Sequence, residues 1–160
     1  AKAIQFGICG VFGEAAPLCS PYEVVREAFS GLGAQTAEGG FLSLEEMGLP
    51  HFALPGGQPA PQWLTPHPPG HTGLPPATGL TSATVHGEAE SIRALEARYG
   101  MAQAPGTVFL ETMEGAAFFQ ACLMAGQPFV AIRAASNRVA PRDRAAWHLA
   151  DAAQAAALAA

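Results

Sequence analysis

Glu111 and Glu114 bracket Thr112-Met113, and Gly115-Ala116-Ala117 follow, small residues suited to a helix packed tightly behind a strand end. An ionised Glu114 accepts two hydrogen bonds, as from vicinal sugar hydroxyls. At a helix start the same acid also complements the macrodipole, so a capping acid and a ligand-binding acid both stay open. A second concentration of chemistry runs from Arg133 to Arg144, where four of the seven arginines fall around Ser136-Asn137. Asn137 sets a donor beside an acceptor, which suits the edge of a heterocycle; it equally suits a capped turn with the arginines paired to Asp143 and nearby acids. The third candidate is Gly7-Ile8-Cys9-Gly10-Val11-Phe12-Gly13, a glycine-rich strand exit whose N–H groups can approach a ligand oxygen. It lacks the GxGxxG spacing of a dinucleotide site, and a plain turn would read the same way.

Other reactive residues form weaker patterns. His67 and His71 are four apart, but Pro68, Pro69 and Gly70 intervene, so no helix aims both at one metal and no metal site is expected there. His86-Gly87-Glu88 offers a base and an acid, or a simple strand-to-helix turn. Cys9, Cys19 and Cys122 cannot all pair and show no CxxC spacing, which points to a reducing cytoplasm rather than a disulfide scaffold.

These groups need elements to hold them. In 160 residues, 49% hydrophobic and 13% charged, one globular domain over 1–160 is expected. A net charge of −5 argues against nucleic acid or an anionic membrane as partner, and no apolar run is long enough to span a bilayer. Ala3–Cys9 reads as a buried strand that opens almost at the first residue, as though a domain began inside its own sheet. Ser20-Pro21-Tyr22-Glu23 carries a helix-start signal, a Ser cap with Pro in the first turn and Glu three on, although Tyr22, Val24 and Val25 would suit a strand. From Ser30 to Gly79 glycine and proline dominate, with Phe41, Leu42, Leu44, Met47 and Leu49 as the apolar content of the first part. Residues 50–76 read as a mobile surface excursion. Thereafter strands over 79–86, 107–111 and 129–135 alternate with helices over 89–99, 113–125 and 142–159. That alternation predicts an α/β layer fold with a largely parallel sheet, whose ligands collect at the carboxyl ends of strands.

The stretch TMEGAAFFQACLMAGQPFVAIRAASN resembles the nucleoside phosphorylase and nucleosidase superfamily, in which a Met-Glu-Gly-Ala junction is followed, one helix and one strand later, by Ser-Asp or Ser-Asn. The continuation SNRVAPRDRAAW, with GLGAQ at 31–35, FLSLEEMGL at 41–49 and TVHG at 84–87, is similar more narrowly to the futalosine hydrolases of the alternative menaquinone pathway. The resemblance covers most of the chain outside the Pro-rich excursion. It implies a three-layer α/β/α fold around a mixed, largely parallel sheet, with N-terminal strands missing here, and a strand instead of a helix over 22–29. It implies hydrolysis of the N-glycosidic bond of futalosine with release of hypoxanthine, without cofactor or metal, in an enzyme that associates with copies of itself. Its partner is a small purine nucleoside. Glu114 would bind the ribose hydroxyls, Met113 would pack on the sugar, and Asn137 would address N7 and the 6-position of the purine. An amide there suits a 6-oxopurine, where adenine-cleaving relatives carry Asp. Gly10 lies in the segment lining the ribose; Phe12 and Phe41, with an arginine of the 133–144 cluster, are candidates for the aromatic carboxylate beyond the 5′ end. The family's water-activating carboxylate lies on an earlier strand that no residue here matches, and Glu90 stands where some relatives place an aromatic against the base. Rival readings are a purine nucleoside phosphorylase, a methylthioadenosine or S-adenosylhomocysteine nucleosidase, and a nucleoside-binding protein without turnover.

Overall fold

The computed structural model describes residues 1–49 and 51–160. Five strands close into a barrel in the order β1 (Ala3–Val11), β6 (Val108–Thr112), β5 (Pro76–Thr81), β2 (Pro21–Phe29), β7 (Phe129–Arg138). β1 runs parallel to β7, β2 to β5 and β5 to β6, whereas β1–β6 and β2–β7 are antiparallel, so the sheet is mixed and largely parallel. Closure is the departure from the open layered sheet of the sequence reading. Each of the five strands then has a neighbour on both sides, with β1 meeting β6 at Gly10 and Val11 and β2 meeting β7 at Pro21, Tyr22 and Glu23. A separate hairpin joins β3 (Gly33–Gln35) to β4 (Phe41–Ser43).

Three helices pack on the barrel through their apolar faces. α1 (Ala89–Arg98) sets Ile92 and Leu95 against Leu80 and Phe109; its start is capped by Glu88, which accepts from the Glu90 and Ser91 amides. α2 (Gly115–Met124) buries Phe119 completely against Phe129, ring centroids 4.7 Å apart. α3 (Leu149–Ala159) meets Ala134 through Ala152 and Ala156, small residues that let helix and strand approach closely. Full burial of a side chain such as Phe119 contributes about 2–3 kcal/mol.

Several local expectations are corrected. The Ser-Pro-x-Glu signal does not start a helix, because Pro21–Phe29 is a strand paired on both sides. Pro21 takes the first strand position, where its missing N–H costs least, and the pairing on both flanks outweighs a local cap. The strand expected over 79–86 is shifted upstream to Pro76–Thr81 and followed by a bend. The final helix begins at Leu149, not Arg142, after a single 3-10 turn at Arg144–Ala146 capped by Asp143. The excursion over 50–76, apart from Pro50, which lies outside the described residues, is tied back to β2. Leu64 and Glu27 exchange both backbone hydrogen bonds, and Thr72 donates its amide and hydroxyl to Glu23. Leu64 is 1% exposed and joins the core, whereas Leu42 and Leu49, expected to bury themselves, are exposed.

One acid lies inside this frame. Glu27 on β2 is 1% exposed and accepts at Oε1 from the hydroxyls of Thr81 on β5 and Thr112 on β6. The space it occupies is left by two glycines: a methyl on Gly79 would meet its Oε2 at 2.0 Å, and one on Gly115 its Cδ at 2.5 Å. Gly115→Ala is therefore expected to destabilise the fold by about 1–3 kcal/mol, as overpacking of a dense interior does. Urea denaturation of the variant and its parent measures this; equal midpoints would show that the carboxyl moves aside freely.

Candidate active site

The carboxyl ends of β6 and β7 and the end of β1 converge on a cavity of about 190 Å³. Met113, Glu114, Asn137 and Gly10 all line it, so four residues singled out from the sequence come together. Phe12 and Phe41 do not join them. Phe12 borders a separate cavity of about 980 Å³ between the β1–β2 connection and the segment after α1, and Phe41 lies under the Arg98 guanidinium, 3.9 Å from its ring centroid.

β6 ends with Thr112, and the chain turns through Met113 and Glu114 into α2. Glu114 occupies the N-cap position, yet its side chain caps nothing and stays exposed. The capping work is done elsewhere: the Ala116 amide donates to the Thr81 hydroxyl at 2.7 Å. Glu114 is thereby left free to accept hydrogen bonds from a ligand in the cavity. Met113 beside it is half exposed, an apolar surface next to a carboxylate.

β7 continues to Arg138, three residues beyond the expected end, so Ser136 and Asn137 sit on a strand and not in a turn. The Asn137 amide is oriented by its neighbours. Its Oδ1 accepts from the Ser136 hydroxyl at 2.8 Å and its Nδ2 donates to the Arg138 carbonyl at 2.9 Å. One N–H and one acceptor lone pair remain for a ligand. Of the arginine cluster, Arg138 is held by the carbonyls of Ala16 and Glu14, and Arg142 lies 5.2 Å from the Trp147 ring centroid. Arg142 and Trp147 border the cavity, whereas Arg133 is buried, and that burial pulls its pKa below the usual guanidinium range.

Between the two candidates lies Gly10. It pairs with Asn137 across β1–β7, where the register shifts by a bulge, and with Glu111 across β1–β6. A methyl there would come 2.8 Å from Val139, 3.5 Å from the Asn137 amide nitrogen and 3.6 Å from the Glu111 Cβ. The glycine thus permits close approach of β1 to both walls.

Glu111 and His86, reactive in type but not assigned to the site from the sequence, complete the wall. Glu111 is buried, and its Oε1 lies 2.5 Å from His86 Nδ1 while the His86 amide donates to both carboxylate oxygens at 3.1 and 3.2 Å. The pair joins the turn after β5 to β6 and presents an imidazole to the cavity. The only sequence signal was the proximity of HGE to an expected strand end, which says nothing about which acid the histidine meets. Cys9 also reaches the cavity, but burial pushes its thiol up to about 12, so it is protonated at neutral pH and no nucleophile. All three cysteines are free.

Glu27, one strand away, is pushed up to about 7 by burial, against the pull of the Thr112 and Thr81 hydroxyls and of the Arg133 charge. Its Oε2 has no hydrogen-bond partner among the described residues. An acid whose folded pKa lies above its ordinary 4.5 holds its proton longer folded than unfolded. Stability is therefore highest below about pH 4.5 on account of this group and declines as pH rises to about 7, by about 3 kcal/mol at about 1.4 kcal/mol per unit. Glu27→Gln keeps the shape and removes the titration. Denaturation at pH 5 and pH 8 should show the variant gaining on its parent at the higher pH; a constant difference would show that Glu27 is not the titrating group.

No family model matches the chain. In sequence it is similar to the futalosine hydrolase of Streptomyces coelicolor, 39% identical over 152 residues that make up 93% of this chain and 59% of that protein. It is 35% identical to the futalosine hydrolase of Thermus thermophilus, over 91% of this chain and 61% of that one. The chain thus spans about three-fifths of the length of these curated relatives. Among solved structures, a methylthioadenosine/S-adenosylhomocysteine nucleosidase from Colwellia psychrerythraea, in complex with adenine, superposes with a TM-score of 0.72 at 19% identity, over 99% of this chain and 64% of that one. The futalosine hydrolase of Helicobacter pylori gives 0.68 at 11% identity, over 99% and 65%. These likenesses establish a mixed α/β fold shared with nucleosidases, and the sequence matches bear out the resemblance to futalosine hydrolases.

Proposed function

From the premise that nine-tenths of this chain matches futalosine hydrolases, we propose that the protein hydrolyses the N-glycosidic bond of futalosine and releases hypoxanthine, as a step of the alternative menaquinone pathway. The observation that carries the reading is the meeting of Glu114, Met113 and Asn137 at one cavity across Gly10. These are the positions at which the resemblance implies sugar and base contacts.

Departure of a purine from ribose passes through an oxocarbenium-like sugar while negative charge grows on the base. Glu114, free of any capping bond, accepts from the two ribose hydroxyls and fixes the sugar. The remaining Asn137 N–H donates to the base where that charge accumulates, and its pre-set orientation means that little reorganisation is needed as the bond breaks. The His86 imidazole, held by Glu111, is a flat group on the wall that can lie against the purine, and the Trp147 indole borders the same cavity. On this reading the helices outside the sheet stand for the outer layers of a three-layer arrangement, and the substrate is a small purine nucleoside.

Futalosine, inosine and methylthioadenosine, each incubated with the protein in phosphate-free buffer, distinguish the readings when the free base is followed by chromatography. Hypoxanthine from futalosine alone supports the proposal. Adenine release would overturn the base specificity assigned to Asn137, and turnover only after phosphate is added would make the protein a phosphorylase.

A further inference from the structure

Cys19, His148 and Asp151 come from two distant parts of the chain, and none of them lines the Glu114 cavity. One ligand atom from each, the Cys19 sulfur with a nitrogen of His148 and a carboxylate oxygen of Asp151, falls within a mutual distance of 4.8 Å. The backbone holds this arrangement. The Cys19 amide donates to the Ala135 carbonyl at 2.7 Å and the His148 amide to the Ser136 carbonyl at 2.8 Å, so consecutive residues of β7 pin both ligands. Asp151 follows three residues on, within the first turn of α3, with Oδ2 at 3.9 Å from His148 Nδ1. Cys19 is also the one non-glycine residue with positive φ, 56°, among the described residues, a conformation that costs energy and recurs at ligand sites.

Two donors of a tetrahedral zinc ion, bonded at 2.0–2.3 Å, lie roughly 3.3–3.8 Å apart. The spacing here exceeds that by about 1 Å, a gap that binding would close by rotation of the His148 and Asp151 side chains, both of them exposed. The donor set decides the class of ion. Calcium and magnesium take oxygen ligands and reject a thiolate, whereas sulfur, nitrogen and oxygen together suit zinc. We propose that Cys19, His148 and Asp151 form a zinc-binding site with three protein ligands and a fourth position open to water. Binding would release the Cys19 thiol proton to solvent. The ion would clamp the β1–β2 connection to the start of α3, next to the strand positions that carry Asn137 and directly after Trp147, which borders the cavity. The proposal does not depend on the glycosidic reaction.

Cobalt(II), titrated into the reduced, metal-free protein, is the probe. The expected result is a thiolate-to-cobalt charge-transfer band with four-coordinate d–d bands, both removed by equimolar zinc. Cys19→Ser should abolish the charge-transfer band. His148→Gln and Asp151→Asn should each weaken binding about tenfold or more, since even partners behind a ligand are worth that much. His67→Gln and His71→Gln should leave it unchanged. Absence of the band in the parent, or its persistence in Cys19→Ser, overturns the proposal. Should Cys19→Ser fail to fold, an unaltered affinity in His148→Gln overturns it as well.

Discussion

Glu114→Ala is expected to lower kcat/KM for futalosine by about 10²–10⁴. On the proposed reading two hydrogen bonds to a charged acceptor, each worth about 1.5–3 kcal/mol, would be lost, and both are needed most when the sugar becomes an oxocarbenium ion. The geometry makes this a clean experiment. The Glu114 side chain makes no bond to the helix it precedes, and the hydroxyl of Thr81 holds the next turn in its place. Stability should therefore change by no more than about 0.5 kcal/mol. Glu114→Gln keeps acceptor and shape but loses the charge, and should fall between the parent and the alanine variant. An undiminished kcat/KM in Glu114→Ala would remove this residue from the sugar site; a large loss of thermal stability would instead make it structural.

Asn137 should show the second large effect, and in a different quantity. On the proposed reading Asn137→Ala removes an N–H that would face the leaving purine, and loss of one such preorganised donor costs about 10²–10³ in kcat. Asn137→Asp should be at least as harmful with futalosine, because an ionised carboxylate repels the charge that a departing 6-oxopurine acquires. It should also lose the donation to the Arg138 carbonyl, leaving two acceptors facing each other. Against methylthioadenosine the same variant should lose less, so that the ratio of the two kcat/KM values shifts toward adenine release. Kinetics with both substrates measure this. A proportional fall for both would mean that Asn137 supports the wall without reading the base.

The two variants also probe what a methyl at Gly10 would disturb, since that glycine separates Val139 and Asn137 from Glu111. A site built at the junction of three strands tolerates little expansion. The same density explains why Glu27 fits only between Gly79 and Gly115.

Much of this was legible in the sequence, for identifiable reasons. The alternation of apolar strand and amphipathic helix after residue 79 rests on local periodicity, so β6, α1 and α2 lie within two residues of where the pattern puts them. Met113, Glu114 and Asn137 stand at strand ends, where an α/β sheet collects its ligands, and the junction motif marks them. Their meeting with Gly10 in one cavity follows from pairing of β1 with β6 and β7.

The rest was decided by contacts between residues far apart in the chain. Pro21–Phe29 carries a local helix signal and becomes a strand because β5 and β7 offer hydrogen bonds on both sides. Leu64 reads as part of a Pro-rich excursion and is buried because its backbone pairs with Glu27, which lies 37 residues earlier (64 − 27). The choice of Glu111 as the acid that His86 meets, the burial of Glu27 and the meeting of Cys19 with His148 cannot be read from local spacing. Local spacing encodes the period of an element and the residues at its ends. Only closure of the barrel brings together side chains that periodicity cannot relate, and with them the desolvation that sets their charge.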